Sequence, residues 1–143
     1  MPGKELLDLK QHYQTGDELA AGEWVKLDGI NMEVHVARAE SPKFFEALAL
    51  MQRRYGLNKR RGKQDPKKAL ACTVATMARS IFLGFRGPKG ERTVKIGDEE
   101  IEDNIAGRER LLMEFPILRR DISDASESLA EEFTDEAEGM GKD

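Results

Sequence analysis

Hydrophobic and polar residues alternate in two short runs near the start of the chain, with an Asp28-Gly29 pair between them. Such a pair favours a two-residue type I′ turn, because both central residues of that turn need positive φ. The turn places Leu27 opposite Ile30 and predicts a β-hairpin over residues 23–37. The predicted apolar face of this hairpin consists of Val25, Leu27, Ile30, Met32, Val34 and Val36.

Apolar residues recur at helical spacing through most of the remaining chain. Ser41-Pro42 and Asp65-Pro66 each place a capping side chain before a proline, which is typical of a helix start. Asp98 and Pro116 are the corresponding signals for two later helices. The predicted helices cover residues 42–56, 66–85, 99–114 and 116–133, and residues 93–96 allow a short strand. The first helix has Phe44, Phe45, Leu48, Met51, Gln52 and Tyr55 at helical spacing, and the last has Ile117, Leu118, Ile122, Ala125, Leu129 and Phe133 as its predicted buried stripe.

The two ends of the chain lack a sustained apolar pattern. We therefore expect residues 1–21 to form a loosely held arm and residues 134–143 to form an acidic, flexible tail. Residues 22–133 form one globular domain in this interpretation. The predicted fold class is mainly α: a helical domain of about four helices with one N-terminal β-hairpin and flexible termini.

Apolar periodicity also predicts which side chains form the core of this domain. The expected core residues are Val25, Leu27, Met32, Val34, Leu70, Val74, Met77, Ile81, Leu112, Ile122 and Leu129.

Length and composition narrow the class of protein. The chain has 143 residues, of which 39% are hydrophobic and 35% charged, and this length suits a single domain. The only cysteine is Cys72, so no intramolecular disulfide can form. The chain starts without an apolar leader, and residues 69–85 fall short of a membrane span. We expect a soluble intracellular domain.

Charge is strongly segregated along the sequence. Residues 53–68 contain eight basic residues and one acidic residue, whereas residues 121–143 contain nine acidic residues and one basic residue. Each pole can meet a complementary partner or the opposite pole of another copy, or both can simply face water. The basic run also suits a small nucleic-acid-binding regulator. Against this, the run offers only Tyr55 for stacking and the pI is about 5.4.

Catalytic, metal-binding and cofactor-binding patterns are weak throughout the chain. His12 and His35 have no second ligand at metal spacing, and Cys72 has no histidine near it in sequence. The acidic run 98–103 lacks the spacing of a calcium loop, and the glycines of residues 84–90 match no phosphate-binding motif. We predict no catalytic residues, no metal, no cofactor and no enzymatic activity.

The order of these features resembles the tail assembly chaperones of long-tailed bacteriophages and prophages. After an N-terminal arm, the similar segments are Gly22-Glu23-Trp24-Val25-Lys26-Leu27-Asp28-Gly29, Ala39-Glu40-Ser41-Pro42-Lys43-Phe44, Phe82-Leu83-Gly84-Phe85-Arg86-Gly87 and Glu114-Phe115-Pro116. An Ala/Ser-rich helix, Phe133 and an acidic tail complete the pattern. The resemblance covers most of the chain as an order of features, without one diagnostic motif.

The resemblance implies a non-enzymatic protein that binds the tape measure protein, keeps it soluble and promotes assembly of the tail tube. It also implies action in the host cell cytoplasm, absence from the mature virion and contact with the tail tube protein. A frameshifted longer form is a further implication, and Met140-Gly141-Lys142 permits a slippery codon run. Self-association is a separate hypothesis, which follows from the opposite charges of residues 53–68 and 121–143. The alternatives are another tail morphogenesis or structural component and the nucleic-acid-binding regulator.

Partner contacts are expected from aromatic and basic residues that a folded monomer leaves visible. The candidate partner-binding residues are Trp24, Phe44, Tyr55, Arg53, Arg54, Arg60 and Arg61.

Overall fold

The computed structural model describes residues 22–57 and 65–140, and the side chains of the last helix only as far as residue 132. The predicted arm 1–21, Arg60, Arg61 and residues 141–143 lie outside the described residues. The described part contains five strands and four helices. They are β1 (Glu23–Lys26), β2 (Glu33–Val36), α1 (Pro42–Arg54), α2 (Pro66–Ser80), β3 (Phe82–Arg86), β4 (Thr93–Ile96), β5 (Glu99–Glu102), α3 (Ile105–Glu114) and α4 (Pro116–Met140).

The predicted hairpin is present as β1 and β2, but its turn is longer than expected. The Leu27 amide donates to the Met32 carbonyl at 3.0 Å, and Val25 lies opposite Val34. The predicted pairing of Leu27 with Ile30 is therefore wrong. The observed pairing of the strands differs from the predicted pairing by two residues, so each strand residue keeps its predicted face. Ile30, however, lies in the loop and not on the apolar face.

The helix predicted over residues 66–85 ends at Ser80, and Phe82–Arg86 instead forms a third strand paired with β2. Val34 pairs with Phe85 and Val36 with Phe82, with a register irregularity between them. The extra residue on β3 lets both phenylalanines face the core. Their burial between the sheet and the helices outweighs the local helical pattern.

The helix predicted over residues 99–114 is also shorter, because Glu99–Glu102 forms a strand. This strand pairs with β4 across a tight turn at Gly97 and Asp98, and Gly97 has φ of 62°. The strand allowed at residues 93–96 is therefore present. α3 begins instead behind Asn104, whose side chain accepts from the Gly107 amide at 2.7 Å.

The prediction of a mainly α fold is wrong, because the described residues form a mixed α/β structure. The larger sheet is antiparallel with the order β1-β2-β3, and β4 and β5 form a separate two-stranded sheet. The helix starts at Pro42, Pro66 and Pro116 are as predicted. α4 continues to Met140, beyond the expected end at residue 133.

The core lies against one face of the larger sheet. Val34, Phe82 and Phe85 of the sheet pack with residues of α2, α3 and α4. Of the expected core side chains, Val25, Met32 and Leu70 are only partly buried, and the others are buried. A second, smaller cluster of Met51, Cys72 and Ala75 joins α1 to α2; the two helices meet there.

Replacing the strand residue Phe85 by alanine tests the position of β3. Phe85 is completely buried, so Phe85→Ala is expected to lower the free energy of unfolding by about 3–5 kcal/mol. The matched control is Phe45→Ala, since Phe45 is 54% exposed on α1, and its effect should stay within about 0.5 kcal/mol. Urea denaturation measures both values. Equal losses in the two variants would contradict the assignment of Phe85 to the core.

Candidate partner-binding site

Trp24 is already engaged by its own chain. It lies on the face of the sheet opposite the core, where its ring stacks on His35 with centroids 5.0 Å apart and an interplanar angle of 13°. The guanidinium carbon of Arg86 lies 4.0 Å from the ring centroid, and that of Arg92 lies 5.2 Å away. These distances are typical of cation–π contacts. Trp24 therefore offers a partner only the part of its ring that these side chains leave open.

Each arginine beside Trp24 is held by a carboxylate: Arg86 by Glu33, and Arg92 by the buried Asp103. The Asp103 side chain is 3% exposed and accepts hydrogen bonds from Arg92 and Arg108. The Arg92 Nε–Asp103 Oδ2 distance is 2.8 Å, and the Arg108 Nη1–Asp103 Oδ1 distance is 2.9 Å. A Cβ at Gly84 would approach Arg92 Nη2 to 2.9 Å and Asp103 Oδ2 to 3.1 Å, so a side chain at this position would displace the ion pair. Asp103, Arg92 and Arg108, which we call the Asp103 cluster, fasten the β4–β5 hairpin across the larger sheet.

The other predicted aromatic contacts are partly buried. Phe44 packs against the main core, and Tyr55 packs against the smaller cluster between α1 and α2. Phe45, which the helical pattern assigned to the buried stripe, is the more exposed neighbour of Phe44. The two rings meet edge to face with centroids 5.4 Å apart. The aromatic candidates therefore contribute more to the fold than to an open surface.

The basic candidates lie at one end of the α1–α2 pair. Arg53 and Arg54 are exposed in the last turn of α1, and Lys67 and Lys68 are exposed in the first turn of α2. Among the described residues, none of these four side chains forms an ion pair. Arg53 and Arg54 lie next to each other at the end of α1, far along the chain from Trp24.

The described part of the molecule contains a groove with a mainly apolar lining. It has a volume of about 340 Å³ and lies between the β1–β2 loop, β4 and the junction of α3 with α4. Its apolar lining residues are Leu27, Ile30, Met32, Val94, Leu111, Phe115, Ile117 and Leu118, and charged side chains at its rim are Asp28, Lys95 and Asp121.

Two local features expose the apolar side chains of this groove. The long β1–β2 loop turns Ile30 outward, leaving it 52% exposed. At the other wall, Phe115 caps α3 with an extended backbone before Pro116 restarts the chain as α4. At this break Phe115 is 41% exposed and Ile117 is 69% exposed.

Sequence reasoning missed this site because it assigned Ile30 and Ile117 to buried faces. Periodicity shows which residues share a face of a helix or strand. It does not show whether all of that face is covered by the core or whether part of it extends beyond the core. The signal available in the sequence was the Phe115-Pro116-Ile117 run. A proline between two large apolar residues ends one helix and begins another.

An exposed ion pair joins the groove's β4–β5 wall to α3. The guanidinium of Arg110 donates to both carboxylate oxygens of Glu99, and its Nε donates to Glu114 at 2.9 Å. The hydrogen bond from Arg110, followed by its charge, lowers the pKa of Glu99 below the ordinary value of 4.5. The hydrogen bonds that Arg110 donates to Glu99 and Glu114 raise the pKa of Arg110. The pair therefore links β5 to α3 beside the groove.

The remaining observations concern chemistry and membranes. No group of His, Cys, Asp and Glu side chains suited to a metal ion occurs in residues 22–57 and 65–132. Across the described helices, none is both long and apolar enough to span a bilayer.

Comparison with protein-family models, with curated proteins and with solved structures gave no match to this chain.

Replacing Glu99 by glutamine tests the ion pair at the groove wall. Because the folded state lowers the pKa of Glu99, its contribution to stability is present above pH 4.5 and is lost as the pH falls through the lowered pKa. We expect Glu99→Gln to unfold at lower temperature than the wild type at neutral pH. The difference should close on acidification and in high salt, because exposed pairs are screened.

Glu100→Gln is the matched control, since Glu100 is exposed and forms no ion pair in the described part of the chain. Thermal unfolding of the three proteins over a pH series measures the effect. Identical curves for the wild type and Glu99→Gln at neutral pH and low salt would contradict the contribution of the pair.

Proposed function

We propose that this chain is a tail assembly chaperone of a long-tailed bacteriophage or prophage. It binds the tape measure protein, keeps that protein soluble and promotes assembly of the tail tube. It acts in the host cell cytoplasm and is left out of the mature virion. Two observations support the proposal: the order of features along the sequence and the apolar groove at the α3–α4 junction.

The apolar groove is the structural feature that supports the proposal. Its lining is apolar, and Ile30, Phe115 and Ile117 stand exposed around it. Exposed apolar side chains gathered in one place mark surfaces that bind another molecule. An amphipathic helix docks in such a groove through its apolar stripe. A chaperone for a long helical protein requires this mode of recognition, because the partner's apolar stripes would otherwise aggregate.

The groove is held open by contacts within the chain. The Glu99–Arg110 pair and the Asp103 cluster fix the β4–β5 wall, and the Phe115–Pro116 break fixes the opposite wall. A preformed site loses less conformational entropy on binding than one that must be ordered. The same groove can therefore accept successive helical segments of one long partner without refolding.

Ile117 supplies the test of this proposal. Co-expression of this chain with the long helical protein encoded beside it is expected to keep that protein in the soluble fraction. Ile117→Asp should reduce the soluble fraction several-fold, because a carboxylate at the groove wall opposes an apolar stripe. An acidic residue near the start of α4 favours the helix itself, so the fold should survive; circular dichroism checks this.

Ile105→Asp is the matched control. Ile105 is the same residue type and is 42% exposed, but it lies in the first turn of α3 and is not part of the groove lining. It should leave the soluble fraction unchanged. If the wild type fails to solubilise the partner, the proposed function is wrong. If Ile117→Asp solubilises it fully, the groove is not the site.

A nucleic-acid-binding regulator is the second candidate, and the exposed basic end of α1 and α2 favours it. Arg53, Arg54, Lys67 and Lys68 can approach phosphates without breaking an ion pair among the described residues. Phosphate contacts of this kind make binding salt-dependent and independent of sequence.

The double variant Arg53→Glu/Arg54→Glu separates the two candidates. Under the chaperone proposal, it retains full solubilisation of the partner and the wild type shows no DNA retention at physiological salt. Under the regulator hypothesis, retention on DNA is lost, and the slope of log affinity against log salt falls by roughly two units. Lys89→Glu, in the turn between β3 and β4, is the control charge reversal.

A further inference from the structure

A second cavity adjoins the groove and shares one of its walls. It is a cleft of about 470 Å³ between α2 and α4, with Met77 and Thr73 on one side and Arg119, Arg120 and Ser123 on the other. Ile117 lines both cavities. The exposed Ile117 side chain is therefore a ridge between them, and groove and cleft form one continuous surface across the first turns of α4.

The two ends of this surface carry opposite charge. The groove end is bordered by Asp28 and Asp121, with Lys95 as its one lysine. The cleft end is bordered by Arg119 and Arg120, and no acidic side chain lines it within the described part of the chain.

The two arginines are arranged differently. A guanidinium nitrogen of Arg119 donates to the Leu112 carbonyl at 3.0 Å, which fixes its position. Arg120 is exposed and forms no ion pair among the described residues. Arg120 is therefore the cation that a bound molecule meets first.

An α-helix has a matching polarity of its own. Its N-terminal turn favours acidic side chains and its C-terminal turn favours basic ones, because both complement the helix macrodipole. An amphipathic helix with this usual charge distribution fits the surface in one direction. Its acidic turn then meets Arg120, its basic turn meets Asp28 in the β1–β2 loop, and its apolar stripe crosses Ile117.

We infer that the groove and the cleft together bind one amphipathic helix in a fixed orientation, with its acidic N-terminal turn over Arg120 and its basic C-terminal turn over Asp28. This inference rests on the proposed function for the existence of a helical partner. It adds the charge pattern and the direction by which such a partner is recognised. Charge complementarity of this kind selects among partners that share an apolar stripe.

Two synthetic peptides of about 16 residues test the orientation, a length sufficient for a helix once it is stapled. Both carry the same leucine stripe and the same outward-facing lactam staple. One has glutamates in its first turn and lysines in its last, and the other has these charges exchanged. Fluorescence anisotropy with the full chain is expected to show roughly fivefold tighter binding of the first peptide at low salt, with the difference fading as salt rises.

Charge reversal on the protein should reverse this preference. The double variant Arg120→Glu/Asp28→Lys is expected to bind the exchanged peptide more tightly. The control Lys43→Glu should leave the ratio unchanged, because Lys43 is exposed in the first turn of α1 and lines neither the groove nor the cleft. A nitroxide on the N-terminus of the first peptide gives an independent readout. It should broaden the amide signals of Arg120 and Ser123 and spare those of Asp28 and Ile30.

Three results would overturn the inference. If the two peptides bind equally and Ile117→Asp abolishes the binding of both, the groove is a binding site but the fixed orientation of the helix is wrong. Binding of neither peptide, while co-expression still solubilises the long partner, would show that the partner uses another surface or another conformation. Dimers that disappear in Ile117→Asp, with neither peptide bound, would assign the surface to a second copy. The co-expression result decides the proposed function separately.

Discussion

The burial of Phe82 and Phe85 is the interaction on which the rest of this structure depends. Both rings belong to β3, and both reach the core because the register between β2 and β3 shifts by one residue. Their burial turns a two-stranded hairpin, which is marginal alone, into a three-stranded sheet that α2, α3 and α4 can cover. If residues 82–86 continued α2 as a helix, β2 would have only β1 as a partner strand. The main core would also lose Phe82 and Phe85, its two largest fully buried side chains.

The position of β3 also determines where the binding surface lies. The chain leaves β3 through the turn at Gly87 and forms the β4–β5 hairpin, which the Asp103 cluster fastens back across Trp24. Asp103 is nearly buried, so its two arginines are needed to compensate its charge. The hairpin then supplies Val94 and Lys95 to one wall of the groove. Trp24 is not among the residues that line the groove, but its ring contacts Arg92 of the Asp103 cluster.

Positive and negative charges are separated at two scales in this protein. Over the whole chain, basic and acidic residues concentrate in different segments. Locally, the groove and the cleft on either side of Ile117 differ in the sign of the charges that border them. The local asymmetry is the more informative of the two, since it is combined with exposed apolar side chains. If the surface binds a helix as we infer, the partner must match both the apolar stripe and the charges, which is a stricter requirement than either alone.

Local signals in the sequence determined where helices begin and which residues alternate across strands. Ser41-Pro42 and Asp65-Pro66 cap α1 and α2 as predicted, because a cap depends only on neighbouring residues. The Phe82–Arg86 and Glu99–Glu102 strands could not be read in this way, since a strand is stabilised by partners distant in sequence. For the same reason, periodicity placed Ile30 and Ile117 on buried faces, and only the packing of the hairpin loop and the α3–α4 junction showed that nothing in the described chain covers them.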